Sequence, residues 1–117
     1  MEGEKQRAAE GHSMTTFNDR EKAFEAKFAH DSEMQFRAEA RRDKLLGLWA
    51  AGLLGKSGAE AEAYALEVVN SDLVKAGTED LVAKVAGDLG AHSTAEAVRA
   101  KLAALLPEAK AQLLTEL

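Results

Sequence analysis

FNDREKAFEAKFAHDSEMQFRAEARRDKLLGLWAAGLL, residues 17–54, decides the fold. No Gly or Pro interrupts it before Gly47. Three of the four Phe fall in its first 12 residues, and the single Trp stands near its end. Ala, Leu, Glu, Lys and Arg dominate it, and these are strong helix formers. It reads as one long helix, or as a helical arm running into an anchored helix. Phe17, Phe24 and Phe28 fall at i, i+7 and i+11, on one face of a helix. From Phe36 the pattern strengthens. Leu45, Leu46, Leu48, Trp49, Leu53 and Leu54 offer a wide apolar surface, and Gly55 is placed to end the helix as its C′ residue.

Working outward, Lys56-Ser57-Gly58 makes a turn, and Ser57 with Glu60 fits a capping box. A second helix follows through Tyr64, Leu66, Val68 and Val69 towards Val74. Gly77 breaks it, and Thr78 is expected to cap a third helix that buries Leu81, Val82, Val85 and Leu89. Gly90 and His92 form the next turn. Ser93 with Glu96 fits another capping box and opens a fourth helix with Val98, Leu102, Leu105, Leu106, Leu113, Leu114 and Leu117. Pro107 either kinks this helix or starts a fifth. Short connections imply antiparallel neighbours, so the expected fold is all-α, a small four-helix bundle with a long first helix and a mobile N-terminal arm.

Composition agrees. Of 117 residues, 30% are charged and 46% belong to the apolar set, much of it Ala, which implies a thin helical core. Without Cys, no disulfide, thiolate nucleophile or Cys-based metal site can form. The longest uncharged run, Leu45 to Gly55, is far short of the roughly 20 residues that span a bilayer. The N-terminus lacks a signal-peptide pattern. The net charge of −5 lies in the second half, since the acids and bases of residues 17–49 balance. An acidic body repels nucleic acid and anionic lipid.

Residues 1–13, MEGEKQRAAEGHS, have no apolar periodicity and read as a disordered tag or extra segment ahead of Met14. Near Met14, Thr15, Thr16 or Asn18 could cap a helix, with Asp19 and Glu21 in its first turn. Residues 14–31 form the arm, marginal as an isolated helix. Residues 32–117 form the anchoring domain.

Gly55-Lys56-Ser57 resembles the end of a phosphate-binding loop. That motif needs a Gly where Ala50 stands and a strand before it, so a helix-to-helix turn explains it better. His12, His30 and His92 have no metal-ligand spacing, and His30-Asp31 reads as a solvated helix pair. The carboxylates read as helix-surface groups, and no enzyme signature is present. Arg37, Arg41 and Lys44 line up at i, i+4 and i+7 with Arg42 beside them, a patch for phosphate, a nucleotide or an acidic protein surface. Nearby exposed aromatics are not expected, which argues further against nucleic acid. The stripe of Phe17, Phe24 and Phe28 has no evident cover within the domain, and suits docking into a groove of another protein.

Thr15-Thr16-Phe17-Asn18-Asp19-Arg20-Glu21, Phe24-Glu25-Ala26-Lys27-Phe28-Ala29-His30-Asp31, Phe36-Arg37-Ala38-Glu39-Ala40-Arg41-Arg42 and Lys44-Leu45-Leu46-Gly47-Leu48-Trp49-Ala50-Ala51 closely resemble the zeta subunit of alphaproteobacterial F-type ATP synthases. Tyr64-Ala65-Leu66, Val68-Val69 and Ser71-Asp72 fit as well. The resemblance runs from Met14 over nearly the whole chain and weakens in its last third, where Pro107 departs from the pattern. It implies a non-enzymatic inhibitor of ATP hydrolysis, cytoplasmic and bound at the cytoplasmic face of the inner membrane. By the resemblance, the arm enters a catalytic α/β interface of the head, contacts the central-stalk γ subunit and blocks hydrolytic rotation. Phe17, Phe24 and Phe28 would anchor it, with Asn18, Asp19, Arg20, Glu21, Lys22 and Lys27 as polar contacts. No cofactor is implied beyond weak adenine-nucleotide binding. A monomer is expected when the protein is free, with no nucleic-acid partner and no membrane insertion. The alternative is a nucleotide- or phosphate-responsive helical module that uses Arg37, Arg41, Arg42 and Lys44. A third reading is a scaffold whose long helix pairs with a second copy.

Overall fold

A computed structural model describes residues 31–75 and 77–116. The chain divides after Gln35, and residues 36–117 form the second unit, which is compact. Four α-helices are described: α1 (Ser32–Leu53), α2 (Gly58–Val74), α3 (Thr78–Leu89) and α4 (Ala95–Thr115). A 3-10 turn, Gly90–His92, joins α3 to α4. There is no strand among the described residues. The all-α, four-helix expectation holds.

Helix α1 starts at Ser32, not at the head of the quoted stretch. Asp31 caps it, its Oδ1 accepting from the amides of Glu33 (3.1 Å) and Met34 (3.2 Å). Asp31 is therefore a helix cap, and His30, read with it as a pair, lies outside the described residues. The other end of α1 follows the sequence. The Lys56 amide donates to the Ala51 carbonyl (2.8 Å), and the Gly55 amide donates to that of Gly52 (3.1 Å). This pair of bonds is a Schellman motif, and it needs the left-handed backbone that Gly55 adopts at φ 79°.

The expected caps move by a residue or lose a bond. Ser57 is the N-cap of α2, but its hydroxyl caps nothing. Gly77, not Thr78, is the N-cap of α3. At α4 the cap is Thr94, not Ser93: its hydroxyl accepts from the Ala97 amide at 3.1 Å. Pro107 lies inside an unbroken α4. It is exposed, and so is Ala103, whose carbonyl the missing N–H would have met.

The core of the second unit is Leu46 and Ala50 from α1, Tyr64 and Val68 from α2, Leu81, Val82, Val85 and Leu89 from α3, and Val98, Leu102 and Leu105 from α4. The four apolar positions expected of α3 are all buried. Each such aliphatic side chain contributes about 1.5–3 kcal/mol by leaving water. Trp49 packs half-buried against the core, with the Lys101 ammonium 5.8 Å from its ring centre. Helices α1 and α2 approach backbone to backbone at Gly47, where a methyl group would lie 2.6 Å from the Ala65 Cα. Phe36, expected to open the core, is instead 55% exposed.

Candidate functional site

Phe17, Asn18, Asp19, Arg20, Glu21, Lys22, Phe24, Lys27 and Phe28 lie outside the described residues. The basic residues expected as a phosphate or nucleotide patch, Arg37, Arg41, Arg42 and Lys44, all lie on α1, and its geometry separates them into two sets.

Arg37, Arg41 and Lys44 lie along one groove with Phe36, Ala40, Val69, Leu113 and Glu116, enclosing about 470 Å³. Their i, i+4, i+7 spacing puts them on one face of α1. Arg41 forks onto Glu116, with Nη2 to Oε1 and Nη1 to Oε2 both at 2.9 Å. Its Nη1 also donates to Gln112 Oε1 at 2.9 Å. The hydrogen bond to Glu116 raises the Arg41 pKa, and the same bond, with the field of Arg37 added, lowers that of Glu116. Lys44 is exposed and 3.9 Å from the Glu62 carboxylate. The exposed Phe36 ring beside these cations corrects the expectation that no exposed aromatic stands near the patch.

Arg42 turns the other way and is buried. Its Nε donates to Asp43 Oδ1 at 3.0 Å, and its Nη2 reaches Asp72 Oδ2 at 3.5 Å. Asp43 is 2% exposed, so it is not the surface carboxylate that the sequence reading assumed. Two carboxylates here share one guanidinium. Burial, then the hydrogen bond to Asp72, pushes the Asp43 pKa up to about 8 against the pull of Arg42. Asp43 therefore holds a proton at neutral pH, which leaves Arg42 to balance Asp72. The sequence did carry a signal: Asp43 stands three residues before Leu46 and seven before Ala50, on the stripe that enters the core.

A second polar cluster ties α2 to α3. The Tyr64 hydroxyl donates to Asp88 Oδ2 at 2.8 Å, and Lys84 Nζ donates to Asp88 (2.8 Å) and Glu67 (2.7 Å). Burial, then the bond to Asp88, raises the Tyr64 pKa. Burial alone would raise the Asp88 pKa, but the bonds from Lys84 and Tyr64 outweigh it and hold Asp88 low. Among the described residues no group of His, Asp and Glu is placed to hold a metal ion. Among the same residues no helix is long and apolar enough to cross a membrane.

These observations define a small all-helical domain whose distinctive surface is a basic, partly apolar groove. Comparison with known proteins places it. The sequence model of the ATPase inhibitor subunit zeta family matches residues 14–112, and the chain belongs to that family. The match begins at Met14 and includes Pro107. A protein solved by solution NMR is 58% identical, with a TM-score of 0.67, over 72% of this chain and 99% of that one. No curated protein matches. Membership makes the chain a regulatory subunit that inhibits the ATPase of the ATP synthase in general terms.

Proposed function

We propose that the chain inhibits ATP hydrolysis by inserting its N-terminal arm, residues 14–31, into a catalytic α/β interface of the ATP synthase head. Residues 32–117 are the anchor outside the head. Inserted, the arm meets the central-stalk γ subunit and stops rotation in the hydrolytic direction. Phe17, Phe24 and Phe28 are the apolar anchors, and Asn18, Asp19, Arg20, Glu21, Lys22 and Lys27 set register and selectivity. The protein has no catalytic residue of its own and works at the cytoplasmic face of the inner membrane. The observation that carries this reading is the family match, which starts at Met14 and so includes the whole Phe stripe. A segment that is marginal as an isolated helix can order on binding, at an entropic cost that the Phe anchors offset.

The test is ATP hydrolysis by an alphaproteobacterial ATP synthase head, titrated with the intact chain and with a chain starting at Lys27. The intact chain is expected to inhibit and the shortened one to lose inhibition while keeping its helical circular dichroism. Full inhibition by the shortened chain would refute the arm.

The second reading, a nucleotide- or phosphate-responsive module, draws support from the grouping of Arg37, Arg41 and Lys44 along one groove. Arg42 is held away from that groove by Asp43 and Asp72. An NMR titration with millimolar ATP that moves no groove resonance would eliminate this reading.

A further inference from the structure

We infer that the groove between α1, α2 and the end of α4 is a second docking surface for the ATP synthase head. Its occupant is a partner segment that sets an apolar side chain beside a carboxylate. This rests on the inhibitor reading above and adds to the arm a contact made by the folded unit.

Three observations carry it. The first is apolar exposure. Phe36 is 55% exposed at the groove, and Leu66 and Leu73, at 60% and 57%, lie on the same helix as the groove residue Val69. Leu66, Val69 and Leu73 are spaced i, i+3 and i+7, so they form one stripe on α2. Contiguous apolar surface of this kind marks an interface. The second is that the groove already holds a carboxylate. Glu116, just past the last turn of α4, sits in the guanidinium fork of Arg41 with both bonds at 2.9 Å. This is the bidentate geometry by which arginine recognises carboxylates. The Glu116 side chain is half exposed, so a partner's carboxylate can replace it at little cost.

The third is charge. The chain carries −5 overall, yet this face sets Arg37, Arg41 and Lys44 in one row. An acidic partner is drawn to that row and repelled by the rest of the body.

The experiment uses the full chain and the isolated ATP synthase head. Binding is measured by calorimetry and inhibition by ATP hydrolysis, for the parent and for Phe36→Asp, Arg41→Glu and Glu116→Gln. Phe36→Asp and Arg41→Glu are each expected to weaken binding about tenfold or more, as for an interface anchor. Maximal inhibition at saturation should stay unchanged. Glu116→Gln removes the internal competitor and is expected to tighten binding several-fold, the opposite of what a merely structural Arg41–Glu116 pair would give. Melting curves establish that each variant folds.

Unchanged binding by Phe36→Asp and Arg41→Glu, with inhibition intact, would overturn the groove and leave the inhibitor reading standing. A parent that binds without inhibiting, and loses binding on Phe36→Asp, would support the groove and sink the arm mechanism. A parent that neither binds nor inhibits would overturn both. A parent dimer in sedimentation that Phe36→Asp renders monomeric would assign the groove to a second copy and overturn the proposal.

Discussion

Asp43→Asn should abolish a pH dependence of stability that the parent shows on the alkaline side of neutrality. The Asp43 carboxyl titrates near 3.8 when free and near 8 in the folded chain. Between those values the folded state holds a proton that the unfolded state has released. Stability therefore falls as pH rises, by about 1.4 kcal/mol per pH unit. From pH 6 to pH 8 the loss is about 2 kcal/mol, and above the folded pKa it levels off. For a unit of this size that corresponds to a fall in Tm of about 8–16 °C. The physical event is the appearance of a second negative charge beside Asp72, with Arg42 shared between the two carboxylates. Other shifted groups act in other windows. The lowered carboxyls of Glu79, Asp88 and Glu116 contribute fully above their unfolded pKa values and lose that contribution only in acid. The raised Tyr64 and Lys84 lose theirs only above their unfolded values, near pH 10. In the Asn variant the side-chain oxygen still accepts from Arg42 and the amide can donate to Asp72, so the variant mimics the protonated parent. Thermal melts at pH 6, 7, 8 and 9 provide the assay. The parent should match the variant at pH 6 and fall below it by pH 9. Parallel curves, or a parent that gains stability with pH, would refute the argument that one proton is held at Asp43.

Other outcomes follow from the packing. Gly47→Ala sets a helix-propensity gain of about 1 kcal/mol against the 2.6 Å clash with the Ala65 backbone, and the clash should win by about 1–2 kcal/mol in urea denaturation. Gly52→Ala, where a methyl group meets nothing within 4 Å, should instead stabilise by up to about 1 kcal/mol in the same assay. Thr94→Ala removes the one side-chain cap of α4 and should cost about 1 kcal/mol, read from the urea midpoint. Pro107→Ala restores a hydrogen bond inside α4 and should raise stability by about 1–3 kcal/mol, read from the melting midpoint.

The helices and the stop at Gly55 were legible because they rest on local rules. An apolar stripe at helical spacing and a Gly at C′ act through neighbours in the chain. The face of α3 was legible for the same reason: Leu81, Val82, Val85 and Leu89 leave only one side to bury. The caps slipped because adjacent residues compete for the role and burial decides the phase. With Val98, Leu102 and Leu105 fixed in the core, the amide of Ala97 meets Thr94 rather than Ser93. Arg42 and Asp43 were misread because the apolar stripe marks where Asp43 stands but not which distant group pairs with it. That partner, Asp72, stands 29 residues beyond Asp43 on another helix. Phe36 was misread for the converse reason. Its helix was expected to be covered there, and α2 turns its own apolar residues, Leu66 and Leu73, outward.

The close approach at Gly47 bears on how the folded unit carries mechanical load. Where two helices meet through long side chains, each can slide past the other as rotamers re-sort. At Gly47 no side chain lies between α1 and the Ala65 backbone, so there is nothing to re-sort. The contact between Arg42 and Asp72 joins the same two helices nearer the N-terminal end of α1. A pull along α1 therefore loads a bolted joint in shear rather than peeling one helix from the next, and α2 takes up the force without a change of register. For a protein proposed to hold a rotating machine still, this joint opposes sliding of α1 along α2.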